Sequence, residues 1–193
     1  MQNNIKNFGL LRNLIKKKRG HVHLVGICGV GMAGIAFHLK RLGFNVTGCD
    51  TGSNARAAWL KKCGINVISK HDSAHLAGVA WVVRSAAVRE SHVEINHAHA
   101  LNIPVFRRGV VLAALCSNQI SVVVCGTHGK TTTASMIVQL LKGAGLSPSF
   151  CIGGESSALG GVAGCGKSAI MILEADESDG TLIYYQPDHA VRA

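Results

Sequence analysis

The chain has 193 residues, of which 48% are hydrophobic, 16% charged and 5% aromatic, and it contains 23 glycines. This balance excludes a disordered chain and indicates globular α/β structure with apolar strands and tight turns. No apolar run approaches the roughly 20 residues that a membrane span requires. The N-terminus does not match a secretory signal, so we expect a cytoplasmic protein without a membrane span.

The formal net charge of +10 predicts an anionic partner, for which nucleotides and nucleic acids are both candidates. The basic residues are dispersed except at 16–19, and no aromatic platform accompanies them. We therefore interpret 16–19 as an exposed helix end and expect no nucleic-acid partner. The seven cysteines form no C-x-x-C pair, which indicates reduced core residues rather than disulfides or a zinc site. His97 and His99 are interpreted as a solvated helix face, and the other histidines are scattered along the chain.

A β-α-β series follows a short N-terminal extension, which we assign to residues 1–20. Apolar runs predict strands at 21–27, 45–49, 65–68 and 79–83, and helical spacing predicts helices over 31–42, 55–63 and 93–101. Such a series forms a parallel sheet. The fold class that we predict is α/β, with a Rossmann-like parallel-sheet domain over residues 21–118.

A glycine loop, Gly29-Val30-Gly31-Met32-Ala33-Gly34, follows the first strand, and Asp50 ends the second. The spacing matches the fingerprint in which a helix N-terminus binds a diphosphate and an acid about 20 residues later accepts a hydrogen bond from a ribose hydroxyl. Taken alone, this pattern favours NAD. The same turn also serves other diphosphates or simple packing of a helix on a strand.

The stretch 126–133 (GTHGKTTT) stands between the strand-like run ISVVVC and an amphipathic helix pattern. A glycine-rich turn in that position directs backbone N–H groups and the positive helix end at a phosphate. Lys130 adds a cation, and Thr131 adds a hydroxyl suited to Mg²⁺. The predicted ATP-binding residues are Gly126, Thr127, His128, Gly129, Lys130, Thr131 and Thr132. They would belong to a second, P-loop α/β domain over residues 119–193.

A second stretch, 161–168 (GVAGCGKS), fits the general phosphate-loop pattern fully, whereas the first stretch has Val124 where the pattern begins with glycine. A phosphate loop needs a strand before it and a helix after it. The second stretch precedes the apolar run AIMILEAD, which indicates a buried strand over 169–173. We therefore interpret 161–168 as a flexible glycine loop that leads into a strand.

Acidic residues follow that predicted strand in the run EADESDG at 174–180. Ligands of parallel α/β sheets collect at the carboxyl ends of the strands, where enzymes with a phosphate loop also hold Mg²⁺. Glu174 is therefore a candidate metal ligand. A solvated acidic turn is the alternative.

The runs GTHGKTTT, FCIGG and EADESDG, preceded by VGICGVGMAGIA and GCD, resemble the Mur ligases over about residues 21–193. The resemblance is strongest to the branch that joins L-alanine to UDP-N-acetylmuramate, and Ser178 favours this branch. It implies a three-domain enzyme in which the first domain binds the UDP-sugar and the central domain binds ATP and Mg²⁺. The γ-phosphoryl group of ATP would pass to the lactyl carboxylate, and the amine of L-alanine would attack the acyl phosphate.

The same resemblance implies roles for individual residues. Lys130 and His128 would be catalytic, and Thr131 and Glu174 would hold the metal. The residues implied to bind the UDP-sugar are Gly29, Val30, Gly31, Met32, Asp50, Ser85 and Arg108.

The sequence departs from the family pattern at two places, because paired serines appear here as Ser85-Ala86 and the usual R-A-E appears as Arg108-Gly109-Val110. Both changes affect the expected UDP-sugar contacts. The sequence stops where the family continues into a T-N-x-E-x-D-H segment, so we expect an incomplete central domain that does not complete catalysis alone. An NAD-binding oxidoreductase domain and a nucleotide-binding module without turnover stay open as alternatives, and the oligomeric state is not predicted.

Overall fold

Two five-stranded sheets organise the protein, which we describe from a computed structural model over residues 2–52, 55–176 and 180–193. The strands of the first sheet are β1 (His21–Val25), β2 (Asn45–Cys49), β3 (Asn66–Ile68), β4 (Trp81–Arg84) and β5 (Val105–Arg107). Their order is β3-β2-β1-β4-β5, and all neighbours are parallel. This is the strand order of a Rossmann-like sheet with β1 at its centre.

Helices cover both faces of the first sheet. They are α1 (Gln2–Lys17), α2 (Val30–Arg41), α3 (Ala55–Lys62), α4 (Val93–Ala100) and α5 (Arg108–Cys116), and a 3-10 turn spans Ser73–Leu76. Because β1 is central, its alternate residues are buried on opposite faces. Val22 and Leu24 pack in the core that contains α2 and α5, whereas Val25 packs with Ile95 of α4. Within the described ranges, no helix is long and apolar enough to cross a membrane.

The second sheet lies in the C-terminal part of the chain. Its strands are β6 (Ile120–Cys125), β7 (Ser149–Ser156), β8 (Gly161–Gly164), β9 (Ile170–Glu174) and β10 (His189–Arg192), and α6 (Lys130–Gly143) follows β6. The order is β10-β6-β9-β7-β8, in which β8 runs antiparallel to β7 and the other neighbours are parallel. The predicted α/β fold class, a Rossmann-like sheet followed by a second α/β unit, is therefore confirmed.

The N-terminal extension predicted for residues 1–20 contains helix α1. Leu11 and Ile15 on this helix are buried, and the helix contacts α5. Its last turn carries Lys16 and Lys17, and residues 16–19 are exposed. The interpretation of the basic cluster as a solvated helix end is confirmed.

The prediction for 161–168 is correct in one respect and wrong in another. Residues 169–176, directly after the motif, contain strand β9 from Ile170 and no helix, so the context of a phosphate loop is missing. The motif is not wholly a loop, however, because its first half is strand β8, which pairs antiparallel with β7 and has Val162 and Ala163 buried. The high glycine content hid a strand whose two central residues are apolar.

Helix α2 of the first unit packs directly against β7 and β8 of the second. His38 on α2 is buried, and its Nε2 lies 2.9 Å from the carbonyl oxygen of Phe150. A carbonyl oxygen only accepts hydrogen bonds, so this nitrogen must carry the proton. The pKa of His38 is lowered because burial disfavours the imidazolium, although the hydrogen bond to Phe150 partly opposes the shift.

We expect this histidine to make folding sensitive to acid. An unfolded chain protonates histidine near about pH 6.5, whereas the folded chain resists protonation of His38 to a lower pH. The unfolded state therefore binds more protons, and the free energy of unfolding should decrease as the pH falls through about 6.5 and below.

Thermal unfolding at about pH 8 and about pH 5.5 should show a smaller loss of midpoint for His38→Gln than for the parent chain, because glutamine can donate to Phe150 without titrating. His99→Gln is the control, since His99 has a side chain that is 58% exposed. Equal acid sensitivity of the His38→Gln and parent proteins would contradict the assignment.

Candidate nucleotide and metal site

The phosphate loop connects the end of β6 to the first residue of α6. Gly126 and Gly129 have φ angles of 130° and 78°, a left-handed backbone that residues with a side chain adopt only with strain. Gly129 is the N-cap of α6 and provides no side-chain cap, so the first N–H groups of the helix point into the loop. Thr127, His128 and Gly129 are exposed. The loop therefore presents a helix N-terminus to solvent, as an anion site requires.

Lys130 folds back over this loop. Its Nζ donates a hydrogen bond of 2.6 Å to the carbonyl oxygen of Gly126. The ammonium group is thus held at the mouth of the loop, beside the backbone N–H groups. A phosphate in the loop would meet both kinds of donor.

Glu174 lies next to the loop because β9 pairs with β6, and Val124 stands opposite Glu174. Its Oε2 accepts hydrogen bonds from Thr131 Oγ1 at 2.8 Å and from Gly153 N at 2.7 Å. A Cβ atom on residue 153 would come within 2.9 Å of all three terminal atoms of the carboxyl group, so a side chain there would displace the carboxylate from its present position. A carboxylate and a hydroxyl are hard oxygen donors of the kind that Mg²⁺ prefers. Thr131 and Glu174 therefore fit the metal that the sequence predicts.

The residues predicted to bind a UDP-sugar lie along the carboxyl edge of the first sheet. Gly29 precedes α2, Asp50 follows β2, and Ser85 follows β4. Asp50 accepts hydrogen bonds from the backbone N–H groups of Cys28 and Gly52, each at 2.9 Å. The bond from Cys28 fixes the residue that directly precedes the glycine loop. A carboxylate has about four acceptor positions, so Asp50 keeps capacity for a ligand hydroxyl.

Met32 and Val30, two further residues of the predicted UDP-sugar set, differ in how much of their surface a ligand could reach. Met32 as a whole residue is only 1% exposed, so its side chain belongs to the core and does not contribute to a ligand surface. Val30 is half-buried in the first turn of α2.

Burial raises the pKa of the neighbouring Cys28 thiol, and the charge of Asp50 adds to the shift. The loop therefore contains a neutral thiol rather than a thiolate.

Arg108 connects the two units. Its guanidinium pairs with Asp176 at 2.8 Å, and a Cβ atom on Gly31 would overlap the same group. The sequence predicts Arg108 as a UDP-sugar residue but does not reveal Asp176 as its partner, because the two are 68 positions apart. The pairing places the first glycine loop and the acidic end of β9 on one continuous surface.

Two clefts flank these residues. One of about 540 Å³ is lined by Thr131, Thr132 and Ser135 on α6 and by residues 155–158. The other, of about 440 Å³, lies between Trp59 of α3 and the β7–β8 hairpin. Neither encloses the phosphate loop itself, which is open to solvent. Glu177, Ser178 and Asp179 of the acidic run lie outside the described residues.

Parallel sheets with glycine loops at their carboxyl edges place this protein among the nucleotide-binding α/β folds. The sequence profile described as Mur ligase family, catalytic domain, matches residues 21–120. The chain belongs to the Mur ligase family.

Several relatives agree with this assignment. The chain is 42% identical over 167 residues to a UDP-N-acetylmuramate--L-alanine ligase of Leptothrix cholodnii, a match that covers 86% of this chain and 36% of the relative. It is 48% identical over 162 residues to the protein of the same name from Rhodospirillum centenum, covering 84% of this chain and 34% of that relative. The chain thus spans little more than a third of the length of these curated relatives.

Solved structures show the same fold. The UDP-N-acetylmuramate-alanine ligase of Thermotoga maritima matches with a TM-score of 0.84 and 29% identity, over 90% of this chain and 41% of that chain. The UDP-N-acetylmuramate:L-alanyl-gamma-D-glutamyl-meso-diaminopimelate ligase from Neisseria meningitides matches with a TM-score of 0.82 and 30% identity, over 89% and 59% of the two chains.

Proposed function

We propose that this chain provides the sugar-nucleotide site and the phosphate loop of an ATP-dependent, ADP-forming ligase that joins L-alanine to UDP-N-acetylmuramate. The observation that carries the proposal is the contact between Thr131 and Glu174 beside Lys130, in a chain whose relatives bear that name. The product would be a precursor of peptidoglycan, and the proposed compartment is the cytoplasm.

The phosphate loop binds ATP in this proposal. Backbone N–H groups of 126–132 surround the phosphates, and Lys130 exchanges its bond to Gly126 for the β- and γ-phosphates. His128, exposed in the loop, lies beside the reacting groups. Phosphoryl transfer depends on alignment and on neutralisation of charge more than on a covalent side chain, so fixed donors and a cation suffice.

Thr131 and Glu174 hold Mg²⁺ in the same proposal. The metal would neutralise charge that develops on the phosphate oxygens. The hydrogen bond from Gly153 N holds the Glu174 carboxylate beside Thr131. A backbone N–H group of β7 therefore sets the direction of this carboxylate.

The first glycine loop takes the UDP group. Its helix N-terminus faces the diphosphate, Asp50 accepts from a ribose hydroxyl, and Arg108 provides a cation on the side toward β9. Because Arg108 also contacts Asp176, the sugar end of the substrate lies near the phosphate loop. The lactyl carboxylate can then receive the γ-phosphoryl group, and the alanine amine attacks the acyl phosphate to release phosphate.

Calorimetry with the 193-residue chain tests the sugar-nucleotide half of the proposal. We expect UDP-N-acetylmuramate to bind and NADH to give no heat. Asp50→Asn should weaken UDP-N-acetylmuramate binding by about tenfold to a hundredfold, because a hydrogen bond to a charged group contributes about 1.5–3 kcal/mol.

Asp72→Asn is the matched control, since Asp72 is exposed and accepts from the backbone N–H of Ala74, a bond that asparagine can keep, so the affinity should stay unchanged. Binding of NADH without UDP-N-acetylmuramate would contradict the proposal and favour an oxidoreductase domain. Binding of UDP-N-acetylmuramate and ATP without ligation by any longer form of the protein would instead favour a nucleotide-binding module.

A further inference from the structure

A cluster of histidines surrounds Glu94 on the face of the first sheet that α4 and the 3-10 turn cover. The sequence places these residues far apart, and the fold brings them together. The members of the cluster are His23 on β1, Cys49 at the end of β2, His71 and His75 near the 3-10 turn, and His92 and Glu94 at the start of α4. Glu94 and His23 have side chains that are 0% exposed.

Both oxygens of Glu94 are shared among these groups. Oε1 lies 2.7 Å from His75 Nδ1 and 3.4 Å from His23 Nε2. Oε2 lies 2.9 Å from Cys49 Sγ and 3.2 Å from His71 Nδ1. Burial alone would raise the pKa of Glu94, but the polar contacts of His23, Cys49 and His75 lower it to about 2. A carboxylate is therefore buried among nitrogen and sulfur donors.

His23 provides a second, independent observation. Its Nδ1 is 2.9 Å from Thr47 Oγ1, but its Nε2 is buried, faces the cluster and makes no hydrogen bond of ordinary geometry. A buried polar atom without such a bond is uncommon, because the loss of hydration costs about 1–3 kcal/mol. The atom points toward Glu94 Oε1 at a distance of 3.4 Å, close to the separation of two ligand atoms on one tetrahedral zinc ion.

We propose that His23, Cys49, His75 and Glu94 form a binding site for one divalent transition-metal ion, with zinc as the best fit. Their ligand atoms, one from each residue, all lie within 4.8 Å of one another. Zinc–nitrogen and zinc–sulfur bonds of about 2.0–2.3 Å put the ligand atoms of a tetrahedral site about 3.3–3.8 Å apart. His23 Nε2 and Glu94 Oε1, 3.4 Å apart, already lie in that range, whereas His75 Nδ1 and Glu94 Oε1, 2.7 Å apart, must separate when the ion binds.

The donor set selects among metals. Two imidazoles, a thiol and a carboxylate suit zinc, whereas Mg²⁺ and Ca²⁺ prefer oxygen donors only. On binding, the Cys49 thiol proton passes to solvent buffer, and the thiolate and the Glu94 carboxylate balance the charge of the ion. The ion and its two anionic ligands together have no net charge, and a neutral site can be buried at much lower cost than an unpaired ion.

The site would be structural rather than catalytic, since four protein ligands fill a tetrahedral zinc ion. It joins β1, β2, the 3-10 turn and α4. Cys49 immediately precedes Asp50, so the ion would also fix the base of the first glycine loop. The site is separate from Thr131 and Glu174, and it does not depend on the proposed ligase activity.

Cobalt substitution tests the proposal on the untagged 193-residue chain after dialysis against a chelator. We expect one equivalent of Co²⁺ to bind with a thiolate-to-cobalt charge-transfer band, which one equivalent of Zn²⁺ abolishes. Cys49→Ser should remove the band, whereas Cys165→Ser, at an exposed cysteine, should keep it. Absence of the band in the parent chain, or its persistence in Cys49→Ser, would overturn the proposal and leave a hydrogen-bonded network around Glu94.

If Cys49→Ser fails to fold by circular dichroism, zinc-edge X-ray absorption of the parent chain decides instead. One sulfur and three nitrogen or oxygen neighbours support the site. A shell without sulfur, or no retained zinc, refutes it. Zinc should also raise the thermal midpoint with the logarithm of its free concentration, because it binds only the folded chain.

Discussion

Replacing Lys130 with alanine should weaken the binding of ATP·Mg²⁺ by about tenfold to a hundredfold. A charge-assisted hydrogen bond contributes about 1.5–3 kcal/mol, which corresponds to that range of affinity. Lys130 is the first residue of α6, and its Nζ already lies at the loop, 2.6 Å from the Gly126 oxygen. The substitution removes the mobile cation but keeps the backbone N–H groups, so residual binding should persist.

Lys167→Ala is the control for this prediction, because Lys167 occupies the lysine position of the other glycine motif. It is exposed, and it lies between β8 and β9, with a strand rather than a helix directly after it. Calorimetric titration of both variants with ATP and Mg²⁺ should show a loss only for Lys130→Ala. A loss confined to Lys167→Ala would move the phosphate site to 161–168 and refute the assignment based on strand and helix context.

The contrast between these two lysines shows what sequence patterns can and cannot predict. A residue pattern alone selects 161–168, whereas the hydrophobic periodicity around 126–133 selects the other site. The structure agrees with the periodicity, because β6 and α6 flank Gly126–Gly129. Periodicity reports on burial over many residues, and so it carries more structural information than a short string of letters.

Elements that form only through pairing with distant residues are harder to predict from the sequence. Strand β10 has the exposed residues His189, Ala190 and Arg192, and it forms by pairing with β6, about 67 positions earlier. Such a strand shows no apolar alternation, so the sequence gives no signal for it. The same reason applies to Arg108 and Asp176, whose contact follows from the packing of one unit on the other.

The cluster around Glu94 is another feature that the sequence does not predict. Spacing rules for metal sites look for ligands a few residues apart, as in C-x-x-C pairs. Here β1, β2 and α4 bring together residues 23, 49 and 94 through the order of the parallel strands. A useful signal was present in His23 itself, since a histidine in the middle of an apolar central strand must have a polar partner on that face.

Replacing Gly34 with alanine should lower the free energy of unfolding by about 1–3 kcal/mol, the usual cost of overpacking a core. Gly34 is buried on α2 where this helix meets β7. A Cβ atom at this position would lie 2.5 Å from Cys151 Sγ and 3.5 Å from the Cβ of Ala163. Cys151 is buried and cannot swing into solvent, so the helix or the strand must shift.

Gly143→Ala isolates the packing effect. Gly143 also lies in a helix, but no atom stands within 4 Å of its added Cβ. Both substitutions gain about 1 kcal/mol or less from the higher helix propensity of alanine, so Gly143→Ala should be stabilising and Gly34→Ala should not. Chemical denaturation followed by circular dichroism measures the difference. Equal stabilisation by the two substitutions would mean that α2 does not pack on β7, and the continuous surface between Gly31, Arg108 and Asp176 would then lose its support.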